Sequence, residues 1–227
     1  MNAAYWGIIA VLVVGTAIVV YGWLADRAAT KRRMLEATSP PRRDIPGFRP
    51  SARTPEYLTE LQAAVPPATA TPTVLDDATR HSLTERLAGA PTFPAGWPSR
   101  HFITDPSTGW SVLSHPLVLV CLDPIATTRE LLPALERARF TERSLVIVAP
   151  DAQPEVIATL RANMVQRKLD CLILSLADPE LRHQLAVLTG GRTVPRTDLQ
   201  AGYLPDSALG SCTTWVADED DSWVLLD

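Results

Sequence analysis

At 227 residues the chain is long enough for one medium domain plus additional segments, and a single hydrophobic core is the economical arrangement. A net charge of −4 offers no basic footprint to nucleic acid. The charge is unevenly placed: residues 25–55 carry eight basic side chains against three acids, so this stretch is +5 and the remainder −9.

After a short N-terminus (residues 1–4), residues 5–24 (YWGIIAVLVVGTAIVVYGWL) run without a charge. As a helix they span about 30 Å, the hydrocarbon thickness of a bilayer. Tyr5, Trp6, Tyr21 and Trp23 stand at the two ends, where amphipathic rings settle among headgroups. No charged n-region precedes the run and no clear small-residue cleavage site follows it, so a membrane anchor fits better than a secretory signal. The basic residues lie after it and none before. A single pass with the N-terminus outside and the C-terminal domain cytoplasmic is therefore expected, with the basic residues 27–43 against anionic lipid.

Residues 25–90 read as a basic, then Pro/Ala/Thr-rich linker (TSPPRRDIPGFRP, AAVPPATATPT), a composition that favours extended, solvated chain. Within it TPEYLTELQAAV (54–65) fits a short helix capped by Thr54, and residues 75–87 fit a second.

Residues 91–227 form the expected α/β domain. The apolar runs 117–123, 144–151 and 169–177 predict strands buried on both faces, with a short strand near Thr193 and Val194. Residues 126–140, 154–167 and 179–191 predict helices, the last closed by a glycine cap. This alternation implies a parallel sheet. Cys121, Cys171 and Cys212 are widely spaced and odd in number, which suits small buried hydrophobes better than disulfides or a metal site.

Reactive groups are sparse. Asp123 and Asp151 end two strands, where ligands of open α/β sheets gather, and could together hold a divalent metal for phosphoryl chemistry. Acids at such places are also ordinary caps and turn formers. The sequence has no GxGxxG, GxxxxGK[ST], HExxH or GxSxG, and neither a cofactor nor a bound metal is expected.

Seven segments in order, GWPSRHF (96–102), SHPLVLVCLD (114–123), IATTRELLPALE (125–136), SLVIVAPD (144–151), EVIATLRANMV (155–165), LAVLTGG (185–191) and LGSCTTWVADEDDSWVLL (209–226), carry a family likeness. Residues 96–226 resemble the apical, polypeptide-binding domain of bacterial chaperonins of the GroEL type, here fused behind an N-terminal transmembrane helix. The resemblance implies an apolar groove between two helices, using Leu132 and Leu135 on the first, Ile157, Arg161 and Ala162 on the second, and Trp97, His101 and Phe102 on the segment beneath. Arg161 and Ala162 stand where the typical chaperonin has valines, and His101 where it has a tyrosine, which narrows and polarises the groove. The family's ATPase and hinge domains have no counterpart in this sequence, so no ATP-driven cycle is expected.

The leading expectation is thus a membrane-tethered, non-enzymatic protein-binding module. The alternatives are a metal-dependent enzyme using Asp123 and Asp151, and a structural subunit of a membrane complex. Which polypeptide binds and whether the chain oligomerises are not legible in the sequence.

Overall fold

A computed structural model describes residues 13–27, 65 and 75–226. Tyr5 and Trp6, the basic residues 28–43 and most of the expected linker lie outside the described residues. The chain divides into two units, Met1–Glu56 and Tyr57–Asp227. In the first, residues 13–27 are helical and all of them are exposed. Arg27 stacks over the Trp23 ring one turn earlier, 4.4 Å from its centroid, a cation–π pair at i, i+4. Among the described residues no helix is long and apolar enough to cross a membrane, and residues 5–12 of the expected span fall outside them.

The second unit opens with helix α1 (Asp77–Leu87), strand β1 (Thr92–Phe93), a 3₁₀ turn (Arg100–Phe102), β2 (Ser111–Ser114) and β3 (Leu117–Cys121). A second 3₁₀ turn (Thr128–Leu131) leads into α2 (Leu132–Phe140), followed by β4 (Leu145–Ala149), α3 (Pro154–Val165), β5 (Cys171–Ser175) and α4 (Pro179–Leu188). Then come β6 (Thr193–Val194), α5 (Arg196–Gln200), β7 (Gly210–Ser211), β8 (Thr214–Ala217) and β9 (Ser222–Leu225).

Strands β5, β4, β3 and β6 pair in that order, all parallel, with Leu117 beside Leu145 and Leu145 beside Cys171. Every residue of β3 and β4 is buried, as their unbroken Val/Leu/Ile runs require of strands covered on both faces. Short β7 runs antiparallel along the first half of β3, so the sheet is mixed at that edge.

A second sheet is antiparallel, in the order β1-β9-β8-β2, and was not part of the sequence expectation. Its two faces are both covered. Phe93, Leu113, Trp215, Ala217 and Val224 join the main core, while Val216 and Leu225 join Leu83 of α1 in a smaller cluster. Helix α1, inside the stretch expected as linker, is therefore packed on a sheet. Asp76 caps it, accepting from the Thr79 N–H at 2.7 Å.

Local rules explain the element ends. The helix expected over 126–140 divides into a 3₁₀ turn and α2, because Pro133 in the first turn of α2 has no N–H to donate to the preceding turn. Asp178 accepts from the N–H groups of Glu180 and Leu181 at the start of α4. Gly190, at φ +76°, ends that helix: Gly191 N–H donates to the Ala186 carbonyl and Gly190 N–H to Val187, the paired bonds of a Schellman cap. All three cysteines are free and buried, and burial raises each thiol pKa to about 12.

Candidate protein-binding groove

Helix α2 turns Ala134 and Ala138 into the core, preceded by Leu131, and all three are fully enclosed. The core keeps that face, and Leu132, one position on, is 45% exposed. Leu135 is half-buried at the core edge.

Helix α3 divides in the same way. Val156, Leu160 and Met164, spaced four apart, form its buried stripe. Ile157 and Arg161 flank that stripe while Ala162 falls well round the helix from it, and all three are half-buried. The i, i+3 pair Ile157 and Leu160 is thereby separated: Leu160 is a core residue and Ile157 a rim residue.

The third wall is residues 97–102. Ser99 caps the 3₁₀ turn and its hydroxyl lies 3.1 Å from Nδ1 of exposed His101. Half-buried Trp97 is held at both ends, its backbone N–H donating to the Asp218 carbonyl at 2.9 Å and its indole N–H to the Gly109 carbonyl at 3.1 Å. Phe102 corrects the sequence reading, because it is completely enclosed and supports the wall from within without offering surface. Its ring follows the apolar-inside rule more strictly than its family position suggested.

Helix α3 packs against both 3₁₀ turns, which brings residues 97–102, the start of α2 and α3 into one neighbourhood. The position of Leu132 is fixed two residues upstream by Glu130, which sequence reasoning missed. Its carboxylate, 3% exposed, accepts from the Ala126 N–H at 3.0 Å, Arg196 Nε at 2.9 Å and Gln200 Nε2 at 3.1 Å. Burial pushes the pKa of Glu130 up, but the hydrogen bonds from Gln200, Ala126 and Arg196 outweigh it and hold the pKa below the ordinary value. An acid inside the apolar run ELLPAL was the one signal that could have revealed this anchor.

The strand ends are filled by structural bonds. Asp123 accepts from the Arg196 backbone N–H at 2.9 Å, and exposed Asp151 from the Ala152 N–H at 2.8 Å. Arg182, 4% exposed, donates to the carbonyls of Leu176 and Ala177 beyond β5 and of Leu122 beyond β3. Among the described residues no group of three or more His, Cys, Asp or Glu side chains could hold a metal ion.

With this geometry in place the likeness to known proteins becomes informative. Chaperonin GroEL 1 of Mycobacterium leprae (strain TN) is 33% identical over 139 residues, covering 59% of this chain and 26% of that protein. Chaperonin GroEL 1 of Mycobacterium bovis (strain BCG / Pasteur 1173P2) and of Mycobacterium tuberculosis (strain ATCC 25618 / H37Rv) are each 33% identical over 141 residues, 60% of this chain and 26% of theirs. The chain carries a chaperonin-like domain. The aligned stretch spans about a quarter of these relatives' length. No family model matches the chain.

Proposed function

We propose that this chain is a membrane-tethered, non-enzymatic module that holds a polypeptide in the groove bounded by α2, α3 and residues 97–102. One observation supports it above the others: the core-facing sides of both helices are enclosed, yet Leu132 remains 45% exposed and Leu135, Ile157 and Trp97 only half-covered. Partly open apolar surface between two helices suits an amphipathic helix or an extended strand. Arg161 places a cation among these apolar groups, so the favoured occupant is an apolar segment flanked by acids. The likeness to chaperonins supports a polypeptide as the ligand.

The anchor in this proposal is residues 5–24 crossing the membrane, with the basic residues 27–43 on the cytoplasmic lipid surface. The exposed apolar surface of the described part of that helix supports it: Ile18 is 66% and Val19 71% exposed, an arrangement better suited to lipid than to water.

The groove is tested by co-purification from native membranes with wild type and the Leu132→Asp, Ile157→Asp double variant. Loss of specific partners in the variant is expected, and identical recovery removes the groove from the proposal. Extraction at alkaline pH tests the anchor, with the full chain expected in the membrane pellet and a soluble chain refuting it.

A further inference from the structure

A cavity of about 250 Å³ opens where β3 begins, at the end of the parallel sheet away from Asp123. Buried Leu117 and half-buried Leu209 give it an apolar lining, and two arginines, Arg137 from the last turn of α2 and Arg143 just beyond that helix, reach it as well. The two cations are not equivalent. Arg137 is ion-paired to Asp206, which opens a 3₁₀ turn (Asp206–Ala208) before β7 and also lines the cavity. Half-buried Arg143 donates from Nε to the His115 carbonyl at 2.8 Å and from Nη2 to the Pro116 carbonyl at 3.1 Å, so its guanidinium is held in place by neutral groups. It has no acidic partner among the described residues, and its Nη1 makes no hydrogen bond among them. The buried Cys212 thiol registers this charge, because Arg143 opposes the rise that burial imposes on its pKa.

We propose that this cavity binds a small organic monocarboxylate, its anionic head on Arg143 Nη1 and the exposed Ser211 hydroxyl and its apolar body against Leu117 and Leu209. The charge count selects the class. Two arginines and one aspartate leave a single positive charge, which balances one carboxylate and leaves a phosphate dianion undercompensated in a partly desolvated site. A guanidinium already fixed by two carbonyls loses little freedom on binding, and charge-assisted hydrogen bonds are about twice as strong as neutral ones. The volume lies just below the range of roughly 300–1,000 Å³ usual for drug-sized ligands, which keeps the occupant small. The site is separate from the groove proposed above, which draws on Leu132 and Leu135 of the same helix.

The test is a methyl NMR titration of the full chain with benzoate, with benzamide as its uncharged counterpart and inorganic phosphate as the dianion, all at constant ionic strength. Benzoate is expected to shift the Leu117 and Leu209 methyls saturably, benzamide to leave them in place and phosphate to bind more weakly. Arg143→Gln should weaken benzoate by about tenfold or more, the loss of a charge-assisted contact. Because Arg143 also ties down the His115 and Pro116 carbonyls, Asp206→Asn gives a second measurement at an exposed position: it releases Arg137, and should tighten benzoate several-fold and strengthen phosphate more. Equal shifts with benzoate and benzamide would reduce the cavity to an apolar dent and overturn the proposal. So would the absence of saturable shifts at both methyls, or an affinity unchanged in Asp206→Asn. A short peptide that outcompetes benzoate through its free C-terminal carboxylate, its amidated form being inert, would assign the cavity to a polypeptide end and overturn the small-molecule ligand.

Discussion

Arg80 on α1 donates from Nε to the carboxylate of Asp105 at 3.0 Å, and that carboxylate is wholly enclosed. Ser107 and Thr108 donate to the same group at 2.7 and 2.9 Å, while the guanidinium also reaches the Leu75 carbonyl. One buried acid thus ties the start of α1 to the loop before β2. Replacing Asp105 with Ala removes the shared acceptor of the Ser107 and Thr108 hydroxyls and of Arg80 Nε, although Arg80 keeps Asp77 and the Leu75 carbonyl, and is expected to cost about 1–3 kcal/mol. Urea unfolding at neutral pH measures the cost, and an unchanged midpoint refutes the role.

Acid should weaken the fold through the same acid and Glu130. Burial raises the pKa of each, yet the hydrogen bonds from Ser107, Thr108 and Arg80 around Asp105, and from Gln200, Ala126 and Arg196 around Glu130, bring both below their ordinary values of 3.8 and 4.5. The unfolded chain therefore takes up protons first. The stabilisation is present above the ordinary values and disappears as pH falls through the lower native ones. Thermal melts from pH 7 down to 3 should show stability declining below those values, with a shallower decline in Glu130→Gln.

Phe102 and Leu132 should separate packing from recognition. Phe102→Ala opens a cavity in the core and is expected to cost about 3–5 kcal/mol. Leu132→Asp changes an exposed site and should leave stability within about 0.5 kcal/mol while weakening polypeptide capture. Comparable destabilisation by both would place Leu132 in the core and close the groove.

Gly96 lies so near the 218–221 turn that an added Cβ would stand 1.9 Å from the Glu219 carbonyl oxygen. That neighbour is backbone and must shift, and with it the Asp218 carbonyl that holds the Trp97 N–H. Gly96→Ala is expected to cost about 1–3 kcal/mol and to loosen the Trp97 wall. Tryptophan fluorescence and the melting temperature report the two effects.

Burial that raises the thiols of Cys121, Cys171 and Cys212 to about 12 makes all three poor nucleophiles in the native state. Alkylation at pH 8 should label none of them until denaturant is added. Rapid native labelling of Cys121 or Cys171 would contradict the fold described.

The parallel sheet was legible because β3, β4 and β5 are buried on both faces, and such strands announce themselves as unbroken apolar runs separated by helices of regular length. The antiparallel sheet was not. Its strands are two to four residues long, and β1 finds β9 some 130 positions away, so no local pattern records the pairing. The groove showed the same division. Leu132, Leu135, Ile157 and Leu160 all present helical spacing, and spacing is identical for a residue turned to the core and one turned to a partner.

The sequence by itself determined the alternation of buried strands and helices from β3 to β6 and the glycine end of α4, because propensity, proline, glycine and hydrophobic period act over a few neighbouring residues. Only the tertiary structure decided which side chains the core consumes and which it leaves open. Phe102 and Leu160 went inside and Leu132 stayed out because exposure depends on what distant segments arrive to cover each face. The same distance dependence hid Glu130 and Asp105, whose partners Arg196 and Arg80 lie 66 and 25 positions away.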